Sequence, residues 1–336
     1  MKDTVINMSD PLIPSENALA FPELSIIVVS YNTRDMTLEC LASVYEQTTT
    51  PFEIIVVDND SSDGSAAAIA EQFPDVHLLA ETTNHGFAPA HNVAMPHCRG
   101  DWILLLNPDT VVLDGALDKL LAFAKRKPEA KIWGGRTLFG DGSLNTTSCW
   151  RKMSLWTVFC RVTGLTGIFS RSALFNAEEY AGWQRDTERQ VDIVTGCLFL
   201  LRRETWDQLG GFDPTFTMYG EEADLCMRAR KQLDARPMIT PQAEIIHYGG
   251  ASEKVPADRI IRVIRAKAEL IQRHFSPFTR TLGLYLFRLF PLSRTIANTV
   301  AGAITGRPGL KENGKVWANV WKRRAEWQNG FPKNRD

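Results

Sequence analysis

The sequence lacks features that mark several common protein classes. Its six cysteines form no CxxC pair and follow no regular spacing, which argues against a zinc module or a disulfide framework and fits a reducing cytoplasm. No run of about 18 apolar residues occurs, so the sequence predicts no transmembrane helix. Residues 1–22 contain no apolar core of signal-peptide length, and we expect a polar leader there.

Glycine is missing where a dinucleotide-binding protein needs it. The first predicted strand, residues 24–30, is followed by Tyr31-Asn32-Thr33, and the first glycine of the chain is Gly64. The Rossmann turn and the P-loop both hold phosphate with a glycine-rich loop directly after a strand. An NAD-dependent oxidoreductase is therefore disfavoured, and a bound nucleotide has to be held by side chains and a metal ion.

Charge is distributed unevenly along the chain. Residues 273–336, the basic tail, contain twelve Lys or Arg and three acidic residues, a balance of about +9. The preceding body has 26 basic and 36 acidic residues, a balance of about −10. A basic, apolar-faced tail can lie on an anionic membrane, dock on a partner or pack on its own domain, and these alternatives stay open. The acidic body and the lack of a nucleic-acid motif argue against nucleic-acid binding.

What the sequence does contain is an alternation of strands and helices. Helical patterns separate short apolar segments, which predicts an α/β fold with a parallel sheet covered on both faces. The predicted strands are 24–30, 52–58, 76–80, 102–107, 192–204 and 243–250. The predicted helices are 34–47, 65–73, 87–98, 221–233 and 258–275.

An acidic residue lies at the end of one predicted core strand. The apolar segment 102–107 runs into Asn107-Pro108-Asp109. Ligands of open α/β sheets bind at the carboxyl ends of the strands, so Asp109 is a candidate ligand-binding residue. The alternative is that Asp109 caps a following helix, for which Asp114 is the nearer candidate.

Six segments occur in the order, and at about the spacing, of a known enzyme family. They are SIIVVSYN, EIIVVDNDSSDGS, NHGFAPAHN, ILLLNPDT, GGFDPTFTMYGEEADLCMR and IIHYGG. Over roughly residues 24–252 the sequence resembles the inverting family-2 glycosyltransferases, most closely their bacterial rhamnosyltransferase-like branch. The resemblance implies a GT-A-like nucleotide-diphosphosugar transferase fold with a mixed, mainly parallel central sheet and a helical basic C-terminal extension.

The resemblance also implies a division of the chain. After the leader, residues 23–272 would form the glycosyltransferase domain, with a nucleotide-sugar half up to about residue 140 and an acceptor half at 141–272. The basic tail would follow from residue 273.

Eight residues match positions that hold the nucleotide sugar in this family. Asp58 would accept a hydrogen bond from the N3–H of uracil or thymine; alternatively it caps a turn in DNDSSDG. Asn84 and Gly86 would place amide donors and close-approaching backbone against ribose or diphosphate. The full set is Tyr31, Asn32, Asp58, Asn84, Gly86, Asn92, Asn107 and Asp109.

The NPD segment would be this chain's version of the family's metal-binding Asp-x-Asp element. Asp109 would hold a divalent cation, Mg²⁺ or Mn²⁺, against the donor diphosphate, and His247 would supply a further ligand. Asn107 in place of aspartate lowers the charge of the site. The alternative for His247 is a histidine that is simply buried at a strand end.

The carboxylates of GEEADL match the catalytic segment of the family. Glu222 would be the general base, where relatives have aspartate, and it is flanked by Glu221 and Asp224. The alternative is an acidic helix N-terminus stabilised by the macrodipole. Thr195 and Gly196 would line the acceptor pocket.

The resemblance thus implies a metal-dependent inverting glycosyltransferase. We expect a cytoplasmic protein, and the basic tail fits peripheral work at the cytoplasmic face of the inner membrane, where lipid-linked acceptors lie. The expected donor is dTDP-L-rhamnose and the expected acceptor is a lipid-linked or cell-envelope glycan. Two alternatives remain: a UDP-hexose or UDP-galactofuranose donor, and a catalytically silent nucleotide-sugar-binding scaffold.

Overall fold

The computed structural model describes residues 21–249 and 256–332, so residues 1–20 of the expected leader lie outside the described part. Its strands are β1 Leu24–Ser30, β2 Phe52–Asn59, β3 His77–Glu81, β4 Trp102–Leu106, β5 Thr110–Val112, β6 Ile132–Leu138, β7 Leu144–Asn145, β8 Cys149–Trp150, β9 Arg189–Gln190, β10 Ile193–Val194, β11 Leu198–Arg202 and β12 Met238–His247. Its helices are α1 Arg34–Gln47, α2 Ser65–Gln72, α3 Phe87–Ala94, α4 Ala116–Arg126, α5 Leu155–Thr163, α6 Leu165–Ile168, α7 Arg203–Leu209, α8 Glu221–Leu233, α9 Pro256–His274, α10 Pro277–Arg288, α11 Phe290–Thr305 and α12 Pro308–Lys322.

A central mixed sheet organises these elements in the order β3-β2-β1-β4-β11-β6-β12-β5. The first four strands are parallel, and β11 is inserted antiparallel between β4 and β6. Every residue of β1 is buried, and its side chains alternate between the two hydrophobic cores, one on each face of the sheet. Burial on both faces explains why β1 is apolar at every position except Ser25 and Ser30, which are themselves buried. The predicted mixed sheet is confirmed.

One prediction about local structure was wrong, and one alternative from the sequence is excluded. The single strand predicted over 192–204 is divided between β10 and β11, because the chain leaves β10 at Thr195, whose N–H donates to Ser148 O, before it joins the main sheet. No helix directly follows Asp109, since β5 begins at the next residue and α4 begins only at Ala116. Asp114 instead bonds Lys119 Nζ at 2.6 Å, so neither aspartate caps α4.

The C-terminal helices pack on their own chain. Together with α5 and α6, helices α9 to α12 form what we call the helical body. Its core contains, among others, Val158, Ile264, Phe287, Val320 and Trp327, all buried. This core unites residues on both sides of position 273, and the domain boundary there remains a prediction. Among the described helices, none combines the length and the apolar character that a membrane span requires.

Candidate active site

A cleft of about 840 Å³ opens beyond the carboxyl ends of β1, β2 and β4. This is the edge where open α/β sheets bind ligands, and a cavity of this volume accommodates a nucleotide sugar. Seven of the predicted site residues line it: Tyr31, Asn84, Gly86, Asn107, Asp109, Thr195 and His247. The other seven predicted site residues are not in the cleft wall that the described residues form. They are Asn32, Asp58, Asn92, Gly196, Glu221, Glu222 and Asp224.

Asp109 and His247 form a pair in the wall of the cleft. Asp109 Oδ1 lies 3.4 Å from His247 Nε2, and the N–H of Gly249 donates to Asp109 Oδ2 at 3.0 Å. The backbone fixes the pair, because His247 is opposite Thr110 in the antiparallel β5–β12 ladder and Tyr248 N–H donates to Asp109 O. The two side chains therefore meet although they are far apart in sequence.

The electrostatics of this pair favour opposite charges. Burial raises the pKa of Asp109, but the His247 ring and the Gly249 N–H outweigh it and hold that pKa below its ordinary value. Burial lowers the pKa of His247, whereas the Cys197 sulfur and the Asp109 carboxylate raise it to about 10. At neutral pH the protonated His247 ring therefore pairs with the Asp109 carboxylate, and the ring has to release a proton before its nitrogen can bind a metal ion.

The pair and its neighbour Asn107 fit a divalent cation with few protein ligands. Asn107 Nδ2 lies 3.4 Å from His247 Nε2, and Asn107 Oδ1 is buried without a hydrogen-bond partner. No group of three His, Cys, Asp or Glu side chains able to hold a metal occurs within the described ranges. Mg²⁺ is commonly bound by one or two carboxylates together with substrate phosphates, so this sparse set suits a cation shared with a diphosphate.

An asparagine that the sequence analysis missed shapes the loop at residues 84–86. Asn59 Nδ2 donates to Asn84 Oδ1 at 3.0 Å and to Gly86 O at 3.1 Å, while Asn59 Oδ1 accepts from the His85 N–H. Gly86 has φ +85, and a Cβ there would lie 2.6 Å from Thr217 O. The sequence carried a signal for this, since Asn59 directly follows Asp58 at the end of β2.

The other predicted donor-site residues are engaged in the fold. Asn32 Oδ1 accepts from the Ser62 N–H, and Asn92 exchanges two hydrogen bonds with the backbone of Phe212. Asp58 is buried, its Oδ2 accepts from the Ser61 N–H at 3.2 Å, and its Oδ1 has no partner. Of these three residues, Asp58 thus retains a buried acceptor atom, and the ligand-binding roles of all three remain predictions.

The three carboxylates at the start of α8 lie in different environments. Glu221 is buried and Glu222 half-buried, and the Oε2 atom of each is buried without a partner. Burial raises the pKa of both residues, and the charge of Glu222 raises that of Glu221 further. Because burial disfavours the ionised form of these carboxyl groups, they are suited to accept protons.

Asp224, by contrast, is committed to cations. It accepts from Arg228 Nε at 2.7 Å and from His274 Nε2 at 2.9 Å. Burial raises its pKa, but His274 and Arg228 outweigh this and lower it below the ordinary value. Asp224 therefore ties the start of α8 to the end of α9, which leaves the two glutamates as the candidates for a base.

The cleft wall includes residues from α9 that the sequence analysis did not single out. Arg259, Arg262 and Arg265 line the cleft at three-residue spacing, together with Phe331. Arg265 also donates to Glu326 O at 2.6 Å, which anchors it to the helical body. The predicted amphipathic helix indicates that the three arginines share one helical face. The position of that face over the cleft depends on tertiary packing, which the sequence pattern does not show. Tyr219, with φ 70, completes the wall just before α8.

Comparisons with known proteins agree with this geometry. Residues 25–209 match the model of Glycosyl transferase family 2. Over 245 residues, 70% of this chain, the sequence is 31% identical to the O-antigen biosynthesis protein RfbC of Myxococcus xanthus. Over 236 residues, 67% of this chain, it is 28% identical to the N-acetylglucosaminyl-diphospho-decaprenol L-rhamnosyltransferase of Mycobacterium tuberculosis. The matched segments cover 18% of the first relative and 76% of the second.

A solved structure supports the fold. The mannosyltransferase PcManGT from Pyrobaculum calidifontis, in complex with GDP-Man and Mn²⁺, superposes with a TM-score of 0.55 at 18% identity, covering 95% of this chain and 91% of that one. At this identity the likeness is one of fold, and it confirms the predicted GT-A-like architecture with its C-terminal helices. The family model spans more than half of the chain, and the relatives confirm the predicted rhamnosyltransferase-like resemblance. The chain belongs to glycosyl transferase family 2.

Proposed function

We propose that this protein is an inverting glycosyltransferase that moves L-rhamnose from dTDP-L-rhamnose to a lipid-linked glycan. The observation that carries the proposal is the Asp109–His247 pair in the wall of a nucleotide-sugar-sized cleft. The names of two relatives, an O-antigen biosynthesis protein and an L-rhamnosyltransferase, support the choice of sugar and of pathway class.

The donor would lie along the ends of β1 and β2, with its diphosphate toward β4. Tyr31 and Asn84 line this part of the cleft, and the glycine at position 86 lets the backbone of the loop approach both Thr217 and a ligand. Asp58 has a buried, unpartnered carboxylate oxygen, as needed to accept the N3–H of a thymine ring.

Asp109 and His247 would hold a divalent cation, Mg²⁺ or Mn²⁺, with the Asn107 amide oxygen beside them. When bound, such a cation neutralises negative charge on a diphosphate leaving group. The unpartnered Oδ1 of Asn107 supports this role, because a buried amide oxygen without a hydrogen bond is costly unless a ligand or ion contacts it.

Glu222 would take the proton from the acceptor hydroxyl as the new glycosidic bond forms. Three observations favour it within its cluster: Asp224 is bonded to Arg228 and His274, Glu221 is only 4% exposed, and Glu222 is half-buried with a raised pKa. A base with a raised pKa accepts a proton more readily at neutral pH. Thr195 in the cleft wall, and Gly196 behind it, would border the acceptor.

The acceptor class follows from the Mycobacterium tuberculosis relative, whose name describes a glycosylated diphospho-decaprenol acceptor. We propose a diphospho-lipid-linked glycan for this chain as well. The arginines of α9 that line the cleft supply positive charge suited to such an acceptor.

A thermal-shift screen with dTDP-L-rhamnose, UDP-hexoses and UDP-galactofuranose, each with and without Mn²⁺, tests the donor assignment. At a hundredfold excess over Kd, a ligand adds about 2.7 kcal/mol to the free energy of unfolding. We expect dTDP-L-rhamnose to raise the melting temperature of the protein only when the cation is present. We also expect the protein to release dTDP slowly from this donor. A larger shift of the melting temperature with a UDP sugar would identify that sugar as the donor instead. If the protein binds a nucleotide sugar but releases no nucleotide, whether or not an acceptor is present, it is a silent scaffold.

A further inference from the structure

Large apolar side chains are exposed in rows on two helices of the helical body. On α10 the exposed residues are Phe278, Leu282 and Tyr285, and on α11 they are Ile296, Val300 and Ile304. Spacings of three and four residues place each set on one face of its helix. Phe278 and Ile304 are each 79% exposed, which is unusual for residues of their size within a folded helical body.

The exposed rows belong to helices that are otherwise well packed. The opposite side of α10 and the start of α11 contribute Phe287 and Phe290 to the buried core, where the two rings stack 6.1 Å apart. The rows are thus the outer faces of anchored helices.

Neighbouring elements carry further exposed apolar side chains. Helix α5 packs against both α10 and α11, and Arg294 of α11 donates to the carbonyl of Arg161 near the end of α5. The segment that begins with α5 adds exposed apolar residues of its own: Trp156, Phe159, Ile168, Phe169 and Leu174. We call the two rows and these five residues the apolar face.

The charge of the same helices identifies the kind of partner. Residues 276–322 contain a single acidic residue, Glu312. Against it stand seven basic residues: Arg280, Arg288, Arg294, Arg307, Lys311, Lys315 and Lys322. Aromatic and aliphatic side chains combined with Lys and Arg on amphipathic helices are the composition of interfacial membrane-binding surfaces.

We propose that the apolar face docks the protein on an anionic lipid bilayer. A second copy of this chain would bring two basic surfaces together, which like-charge repulsion opposes, whereas anionic headgroups complement the basic residues and the acyl region accepts the apolar side chains. The inference rests on the proposed function in one respect: a lipid-linked acceptor lies at such a surface. Helix α9 belongs to the same helical body and lines the cleft, so the helices that would dock and part of the cleft wall belong to one packed unit.

The test is flotation of the full chain with phosphatidylglycerol-containing vesicles, compared with pure phosphatidylcholine vesicles. The variant is the triple substitution Phe278→Ser, Tyr285→Ser and Ile304→Ser, with Phe278→Ser alone as a milder form. Phe21→Ser is the matched control, since Phe21 is 77% exposed and lies outside the apolar face. Melting temperatures verify that every variant is folded.

We expect the wild type and Phe21→Ser to float with anionic vesicles and to bind them more weakly as salt rises. Loss of one fully inserted phenylalanine lowers partitioning by about tenfold or more, so the triple variant should fall by at least about a hundredfold. Unchanged flotation of the folded triple variant would overturn the proposal. The proposal would also be overturned if light scattering shows that the wild type is a dimer, and if the triple substitution converts it to a monomer without changing vesicle binding. Release of dTDP from the donor in detergent solution, measured in parallel, reports on the proposed function separately.

Discussion

Asp109 Oδ1 and His247 Nε2 lie 3.4 Å apart where β5 pairs with the end of β12. The pairing brings a carboxylate and an imidazole to one point of the cleft wall, beside an amide oxygen of Asn107 that has no partner. Oxygen and nitrogen ligands on fixed strands are well placed to share a divalent cation with a diphosphate.

Asp109→Ala should therefore abolish the cation-dependent part of nucleoside diphosphate binding. Removal of the carboxylate deletes the negatively charged ligand of the site, while its position at the cleft leaves most of the core intact. Isothermal titration calorimetry with dTDP and Mn²⁺ measures the effect.

Asp114→Ala is the matched control for this substitution. Asp114 is an exposed aspartate of the same loop region whose carboxylate bonds only Lys119 among the contacts described for it. It should bind dTDP like the wild type. Binding by the wild type that persists unchanged in EDTA would contradict the metal assignment.

Glu222→Gln should lower transfer by about 10²–10⁴-fold, because it keeps size and hydrogen bonding but removes the base. Donor affinity should barely change, because the substitution leaves Asp109 and His247 of the proposed donor site unaltered. The rate of the wild type should rise with pH through a value above the ordinary glutamate pKa of 4.5, as burial raises the pKa of Glu222. Steady-state kinetics across pH measure both effects.

Glu221→Gln and Asp224→Asn are the comparison variants. We expect a milder loss of rate for Glu221→Gln. Asp224→Asn should mainly lose stability, because Asp224 bonds Arg228 and His274. If Glu222→Gln retains near-normal transfer while either comparison variant is dead, the assignment within the cluster is wrong.

The sequence predicted the elements of this site better than their contacts. Local patterns identified α1 and α8 at their exact bounds and placed Asp109 at the end of a core strand, because periodicity and strand ends are local properties. The commitment of Asp224 to cations was not predictable from the sequence. It depends on His274 of α9, which only tertiary packing brings to α8.

The same limit applies to the strand predicted over 192–204 and to the basic tail. A continuous apolar segment cannot reveal that β10 pairs with β8 while β11 joins the main sheet. Composition left packing and membrane binding open for the tail. The buried Phe287 and Trp327 establish the packing, whereas the exposed rows of α10 and α11 leave the membrane role to experiment.

Glu221→Gln should stabilise the protein at neutral pH. The pKa of Glu221 is raised well above 4.5 in the folded state, so folding favours the protonated form and stability falls as pH rises from the unfolded-state pKa through the folded-state pKa. The glutamine amide carries no charge and so removes the cost of burying an ionised carboxylate. For a buried polar atom without a partner, that cost is about 1–3 kcal/mol. Urea unfolding at pH 4 and pH 8 measures it. The gain in the free energy of unfolding should be present at pH 8 and small at pH 4. A larger gain at pH 4 than at pH 8 would show that burial does not raise the pKa of Glu221.

Gly86→Ala should weaken donor binding and destabilise the fold by about 1–3 kcal/mol. Its φ is +85 and an added Cβ would lie 2.6 Å from Thr217 O, so the loop at residues 84–86 has to move. Gly142→Ala is the control, since it has φ +78 but nothing within 4 Å of the added Cβ. Equal effects of the two substitutions on dTDP affinity would show that the close approach to Thr217 is unimportant for the site.

The most direct test of the account is a single-turnover reaction with dTDP-L-rhamnose, Mn²⁺ and a short diphospho-lipid-linked acceptor, followed by NMR of the anomeric carbon. Wild-type protein should release dTDP and form a product of inverted anomeric configuration. Asp109→Ala should fail to bind the donor in the presence of Mn²⁺, and Glu222→Gln should bind it but form product about 10²–10⁴-fold more slowly. A product of retained configuration, or full activity in both variants, would contradict the central claim that this cleft performs inverting transfer with Asp109 at the diphosphate and Glu222 as the base.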